Sequence, residues 1–341
     1  MATIFDITLL VLGIAILYWG AEWLIRGSAS MARAMGVKPL VIGLTVVAYG
    51  TSAPELAVAT RAALQHSQPI ALGTVIGSCA ANISLILGLT ALIAPPTVDG
   101  RIIRREVPVL VGSAIAVPLL FRNGVLSRLE GGLLVLCAVV FTIVTLSVSA
   151  RMDLDMEEDI DDEPSGGSSS SMSRATSAEE SGTAIGGKGR PRASHLGSIV
   201  MSTFGLALLL AGSYLFVRGG RGIAAEAGMS ERMLGLTVIS IGCALPELIG
   251  SLVAASRGHA ALAVGSVIGS NLLNVFLVLG VTAYLRPIHL GERMHVVDLV
   301  GLVVITLLGV LTLRGSRKIT RLEGALLVAA YVAFIVCAAV L

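Results

Sequence analysis

Glu55 and Glu247 each follow a proline in the middle of a long apolar stretch. A carboxylate at membrane depth costs about 2.5–3.5 kcal/mol even on insertion scales, so it is kept there for a use. A proline in a helix removes one donor and displaces the carbonyl four residues back, here those of Gly50 and Gly242. Carbonyls freed in hydrocarbon persist only where they face protein, water or an ion. Downstream of each glutamate lies a Gly-Ser pair, Gly77-Ser78 and Gly269-Ser270, with Asn82 and Asn274 four residues beyond each serine. Residues at i and i+4 share a helical face, and glycine lets two helices approach closely. These parts predict an all-oxygen cage of two carboxylates, two amides, hydroxyls and backbone carbonyls. Hard cations favour such a set, and calcium accepts about 6–8 oxygens in irregular geometry. Neither stretch carries a histidine in its motif, and His66 and His259 fall at helix ends, which disfavours an imidazole-rich zinc or copper site.

The two stretches are copies of one another. Residues 43–90 and 235–282 align without a gap at an offset of 192, with 21 of 48 positions identical. The identities include Pro54/Pro246, Glu55/Glu247, Gly77/Gly269, Ser78/Ser270 and Asn82/Asn274. A chain that places costly residues twice at matching positions reads as one ion site built from two halves. The duplication extends to Arg26-Gly27 with Arg218-Gly219, and to Arg128-Leu129-Glu130-Gly131 with Arg321-Leu322-Glu323-Gly324. Glu130 and Glu323 open their helices, where a carboxylate meets the positive end of the dipole, and are read as structural together with Arg128 and Arg321.

The elements that must position these residues are membrane helices. Mean hydropathy is +0.89, and 13% of residues are charged, about half the usual share in soluble domains. Apolar runs long enough to cross the hydrocarbon are expected near 5–25, 39–64, 69–94, 106–121, 130–150, 196–217, 233–256, 261–285, 295–313 and 323–341, the fourth being short. The expected fold is therefore an all-α membrane protein of ten transmembrane helices. Five is odd, so the second unit enters the membrane from the opposite side and the two halves, 1–150 and 196–341, form inverted-topology repeats. Between them, residues 151–195 open with a run of acidic residues from Asp153 to Glu163 and turn Ser/Gly-rich. That composition predicts a disordered cytoplasmic linker. The acidic run lacks the spaced loop of an EF-hand, which favours a solvated tether over a calcium sensor.

Basic residues set the orientation. With both termini outside, inner connections hold 16 Lys and Arg and outer ones hold 8, the bias expected of cytoplasmic loops. The first apolar run has no basic segment before it and no small-residue cleavage site, so it reads as a retained helix. All four cysteines fall inside expected spans, and Cys79 and Cys243 read as small packing residues rather than metal ligands.

With these motifs in view, the resemblance is to a known family. G-T-S-A-P-E-L with G-S-C-A-A-N, and C-A-L-P-E-L with G-S-N-L-L-N, resemble the two alpha-repeats of the calcium/cation antiporter superfamily, the sodium/calcium exchangers, and most of all its prokaryotic branch. The resemblance spans the chain apart from the linker. It implies alternating-access exchange of calcium against sodium, or against protons in some branches. Its central glutamates fall on Glu55 and Glu247, its coordinating hydroxyls on Thr51, Ser52, Ser78 and Ser270, and its central Asn/Asp pair on Asn82 and Asn274. It implies no cofactor, since calcium and the monovalent counter-ion are substrates. It also implies the lipid bilayer of a bacterial or archaeal plasma membrane, and no nucleic acid. The chain departs from the pattern at Cys243 and Ala244, where the second repeat usually carries Thr-Ser. It departs again at Asn274, where an acidic residue is common, and at Cys79, where the second repeat keeps Asn271. These changes fall on the flanking sodium ligands and leave proton coupling or another divalent ion open. A channel fits less well, because two glutamates in one cage bind too tightly for easy conduction. An enzyme fits less well still, because the chain shows neither a nucleophile–base pair nor a His/Asp metal set.

Overall fold

In hydrocarbon every backbone donor and acceptor must be satisfied internally, so this composition can span a membrane only as helices or a closed barrel. The computed structural model describes residues 2–35, 39–96, 100–161, 195–290, 296–315 and 318–340, and it is helical almost throughout. The first half runs α1 (Ala2–Met35), α2 (Pro39–Ile42), α3 (Ala48–Thr51), α4 (Ala53–Leu64), α5 (Gln68–Ala80), α6 (Leu87–Ile93), α7 (Gly100–Leu120), strand β1 (Val125–Leu126) and α8 (Arg128–Asp161). The second runs α9 (His195–Glu226), α10 (Glu231–Leu234), α11 (Ser240–Ser256), α12 (Ala260–Leu273), α13 (Gly280–Leu285), β2 (Ile288–His289), α14 (Val296–Gly315) and α15 (Arg321–Val340). Four π-helical turns join α2 to α3 (Gly43–Val47), α5 to α6 (Ala81–Ile86), α10 to α11 (Gly235–Ile239) and α12 to α13 (Asn274–Leu279).

Among the described residues, seven helical stretches are long and apolar enough to cross a membrane. They are Ile4–Met31, Gln68–Ile93, Arg128–Ser147, Leu196–Gly220, Arg232–Ser256, Ala260–Leu285 and Arg321–Ala339. The remaining expected spans take less regular form. The 39–64 run is broken at Ser52, whose ψ of 0° leaves the helical region just before Pro54. The 106–121 run is α7, which carries Pro108 and Pro118 inside it. The 295–313 run is α14, whose apolar stretch is the shorter Val297–Leu313. Helix α8 also continues past the expected start of the linker at 151, through Asp161. Met152, Leu154, Met156, Glu157 and Glu158 are sound helix formers, and no glycine or proline interrupts them. The rest of the expected linker, 162–194, lies outside the described residues.

Two capping boxes start α8 and α15. Glu130 Oε2 accepts from Ser127 N at 2.8 Å, and Glu323 Oε2 accepts from Thr320 N at 2.7 Å, while each hydroxyl caps the glutamate's own N–H at 3.3 Å. The structural reading of both glutamates holds.

The packing repeats with the sequence. Helices α1 and α9 lie antiparallel with their backbones in contact: a Cβ on Gly13 would sit 2.8 Å from Gly212 O, and one on Gly20 would sit 2.9 Å from Gly205 O. Deeper inside, a Cβ on Gly77 would meet Leu236 O and Ser240, while one on Gly269 would meet Leu44 O and Ala48. The second set of contacts is the first shifted by 192 residues. The largest apolar core gathers α5, α12, α14 and α15 with their π turns, and a second core joins Leu17, Ala21 and Leu24 of α1 to Leu209, Leu245 and Leu262.

Candidate functional site

The site forms where the two copies of the motif meet. Glu55 stands in the first turn of α4, immediately after the break at Ser52, so Pro54 occupies a helix start where its missing N–H costs little. Glu247 sits instead inside an unbroken α11, one residue after Pro246. Both glutamates are fully enclosed, at 0% and 1% exposure. Thr51, Ser52, Ser78, Ser270, Asn82 and Asn274 are buried beside them. Each asparagine lies within a π turn, Asn82 in Ala81–Ile86 and Asn274 in Asn274–Leu279. The extra residue of a π turn shifts the side-chain register, and such turns recur at functional sites.

Helices α4 and α11, which carry the two carboxylates, touch one another, and each packs against the other repeat's π turn, α4 on Asn274–Leu279 and α11 on Ala81–Ile86. Ser78 faces Glu55, while Ser270 and, across the repeat boundary, Thr51 face Glu247. None of the four carboxylate oxygens completes a hydrogen bond to the protein among the described residues. The same holds for both amide atoms of Asn82 and of Asn274, and for the hydroxyls of Ser52 and Ser270. Buried polar groups are nearly always paired, and each orphan costs about 1–3 kcal/mol. So many orphans in one place, most of them oxygens, have a physical rationale if their partner is an ion that comes and goes. Thr51 and Ser78 spend their protons on backbone carbonyls, Val47 O at 2.9 Å and Ser240 O at 3.3 Å, which leaves their oxygen lone pairs to face inward.

The two displaced carbonyls differ from the expectation in one respect. Gly242 O already accepts the Ser213 hydroxyl at 2.7 Å, so one of its lone pairs is committed to α9. Gly50 packs toward α9 as well, with Leu206 side-chain carbons 3.0 Å from a built Cβ. Two further groups join the site region that the duplicated motif did not select. Ser251 lies one turn after Glu247 on α11, and Asn271 follows Ser270; the Ser251 hydroxyl and Asn271 Oδ1 are buried and unpaired. Their counterparts at the offset of 192 are Ala59 and Cys79, so a search for matched pairs passes over both. The Cys79 thiol makes only a weak contact, 3.9 Å to Asn271 O, in keeping with a packing role. Among the described residues no cluster of three or more His, Cys, Asp or Glu could hold a metal ion.

The family model for sodium/calcium exchanger proteins matches residues 5–147 and 197–340. The chain belongs to the sodium/calcium exchanger family. This is a family of membrane transporters and not of enzymes. Among its relatives is the putative antiporter CaxA of Alkalimonas amylolytica, 34% identical over 339 residues that cover 98% of this chain and 97% of that one. The sodium/calcium exchanger MaX1 of Methanosarcina acetivorans is 29% identical over 351 residues, covering 96% and 97%. Among solved structures, the sodium–calcium exchanger NCX_Mj soaked with sodium and calcium superposes with a TM-score of 0.76, at 30% identity and 97% coverage of both chains. Both blocks of the family match contain one copy of the motif, and the unmatched gap between them is the expected linker with a few flanking residues. The resemblance expected from the motifs is thus shown across both halves.

Proposed function

We propose that this family member is a secondary antiporter that carries calcium across the membrane in exchange for sodium or protons, by alternating access to one central site. The observation that carries the reading is the pair Glu55 and Glu247, both buried and without a completed hydrogen bond among the described residues, in the company of the equally unpaired Asn82, Asn274, Ser52 and Ser270. The ligand set is Glu55, Glu247, Ser78, Ser270, Asn82, Asn274, Thr51 and Ser52, with the carbonyls of Gly50 and Gly242 as the weakest members. A set of this kind suits calcium, which takes oxygens in irregular number. Sodium coupling is favoured by the relatives' names, and proton coupling by the thinned hydroxyls at Cys243 and Ala244.

The architecture proposed is ten spans in two inverted repeats. The antiparallel contact of α1 with α9 and the pairs of glycine contacts related by 192 residues support it. The orientation proposed has both termini outside and 151–195 in the cytoplasm. In support, connections assigned to one side touch one another. On the outer side β1 pairs with β2, and Arg286 Nη2 lies 2.8 Å from His66 Nδ1. On the inner side Ile319 N donates to Pro96 O at 3.1 Å, and Arg257 reaches Glu22 at 2.6 Å.

One shared site demands competition. Calcium binding to purified protein in detergent should be displaced by sodium or by protons, and a Glu247→Gln protein that still folds should bind calcium at least about 100-fold more weakly. Calcium and counter-ions that bind without mutual effect would sink the proposal.

A further inference from the structure

A proline inside a helix leaves the carbonyl four residues before it without its donor. The two repeats meet that loss in different ways. In the first, the helix breaks at Ser52, and Pro54 falls in the opening turn of α4, where a missing N–H costs little. In the second, α11 runs from Ser240 to Ser256 with Pro246 in its interior, so the carbonyl of Gly242 stays in need of a donor. A buried carbonyl left unpaired costs more than a bond to it gains, and at membrane depth no bulk water replaces the lost amide.

The donor comes from another helix. Ser213, on α9 and 2% exposed, gives its hydroxyl to Gly242 O at 2.7 Å. Glycine is what permits the approach: a Cβ at 242 would lie 2.6 Å from Val217 Cγ2 and 3.0 Å from Phe216 Cδ1, both on α9. Val217 also packs with Ile239 and Cys243, which holds α9 along this turn of α11. At Gly50, the matching glycine of the first repeat, the nearest atoms to a built Cβ are all side-chain carbons of Leu206. Glu247 directly follows Pro246, so an opening of α11 at Gly242 would move its carboxylate.

We infer that Ser213 is a positioning residue for Glu247: its hydroxyl replaces the amide that Pro246 lacks, keeps α11 continuous through the proline and so fixes where the carboxylate sits. The inference rests on the antiport reading for the ion that Glu247 meets, but not for the continuity of the helix. A double-mutant cycle separates positioning from plain packing. Pro246→Ala returns an N–H to Gly242 O from within α11, which makes the hydroxyl at 213 redundant. In the wild-type background, Ser213→Ala is expected to weaken calcium binding to purified protein about tenfold and to speed amide hydrogen exchange across 240–250 about tenfold. Ser213→Thr, which keeps the hydroxyl, should restore both, and Ser213→Cys, a weaker donor of similar shape, should fall between. In the Pro246→Ala background, Ser213→Ala should change either quantity by less than about twofold. Equal losses in both backgrounds would overturn the inference, and so would an unchanged calcium affinity in Ser213→Ala, with or without faster exchange. Wild-type protein that binds no calcium would overturn the antiport reading instead. The exchange cycle would then still decide whether Ser213 closes α11: equal losses in both backgrounds would refute it, and a loss confined to the wild-type background would support it.

Discussion

Glu55 and Glu247 are the residues on which the account depends, because removing one charge leaves a divalent ion facing a cage of −1. Glu55→Gln keeps shape and volume, yet is expected to weaken calcium binding by two or more orders of magnitude, as measured by titration calorimetry. Ser251 is a different case. Its hydroxyl is buried and unpaired one turn from Glu247, so Ser251→Ala should change calcium or counter-ion affinity by only several-fold, the scale of one neutral hydrogen bond. No change in either affinity would place Ser251 outside the cage. The glutamates, serines and asparagines were legible in the sequence because each is expensive in an apolar run and each occurs twice. Ser251 and Asn271 were not, since their counterparts Ala59 and Cys79 break the pairing that made the others visible.

Helices here are held by how closely their backbones approach. A side chain at Gly20 would sit 2.8 Å from Leu209 N and 2.9 Å from Gly205 O, both backbone atoms that cannot step aside. Gly20→Leu is expected to separate α1 from α9 and lower the melting temperature in detergent by many degrees. Gly112 on α7 has open space around a built Cβ, so Gly112→Ala should be neutral or stabilising by up to about 1 kcal/mol. Equal melting shifts for the two variants would remove the close-packing argument. Helix positions followed from apolar runs, but the four π turns did not, because a single inserted residue leaves hydropathy unchanged. The break at Ser52 and the continuity of α11 through Pro246 were equally hidden, since the two prolines stand in the same local motif. Helix α8 outlasts its apolar run because helix propensity, rather than lipid, decides residues 151–161.

At the scale of the whole molecule, the two halves pack against each other around the candidate site, with part of their apolar side chains in shared cores and part on the outer surface. The connection between them carries none of the site residues. Replacing 162–194 by about 15 Gly/Ser residues should leave calcium exchange within a few-fold of wild type, since a flexible tether adds little constraint. A shift in the internal calcium concentration that activates transport would instead mark the segment as a sensor. The repeat itself was legible because an offset of 192 preserves 21 of 48 residues, and the paired glycine contacts follow the same offset.

The central claim is that calcium and its counter-ion share one site between Glu55 and Glu247 and cross in opposite directions. Calcium uptake into proteoliposomes tests it most directly, with an outward sodium or proton gradient imposed and then abolished by an ionophore. The account expects uphill calcium uptake only while a counter-ion gradient stands, and none in Glu55→Gln or Glu247→Gln proteins that remain folded. Uptake by the Glu55→Gln protein at the wild-type rate, or calcium flux indifferent to every counter-ion gradient, would contradict it.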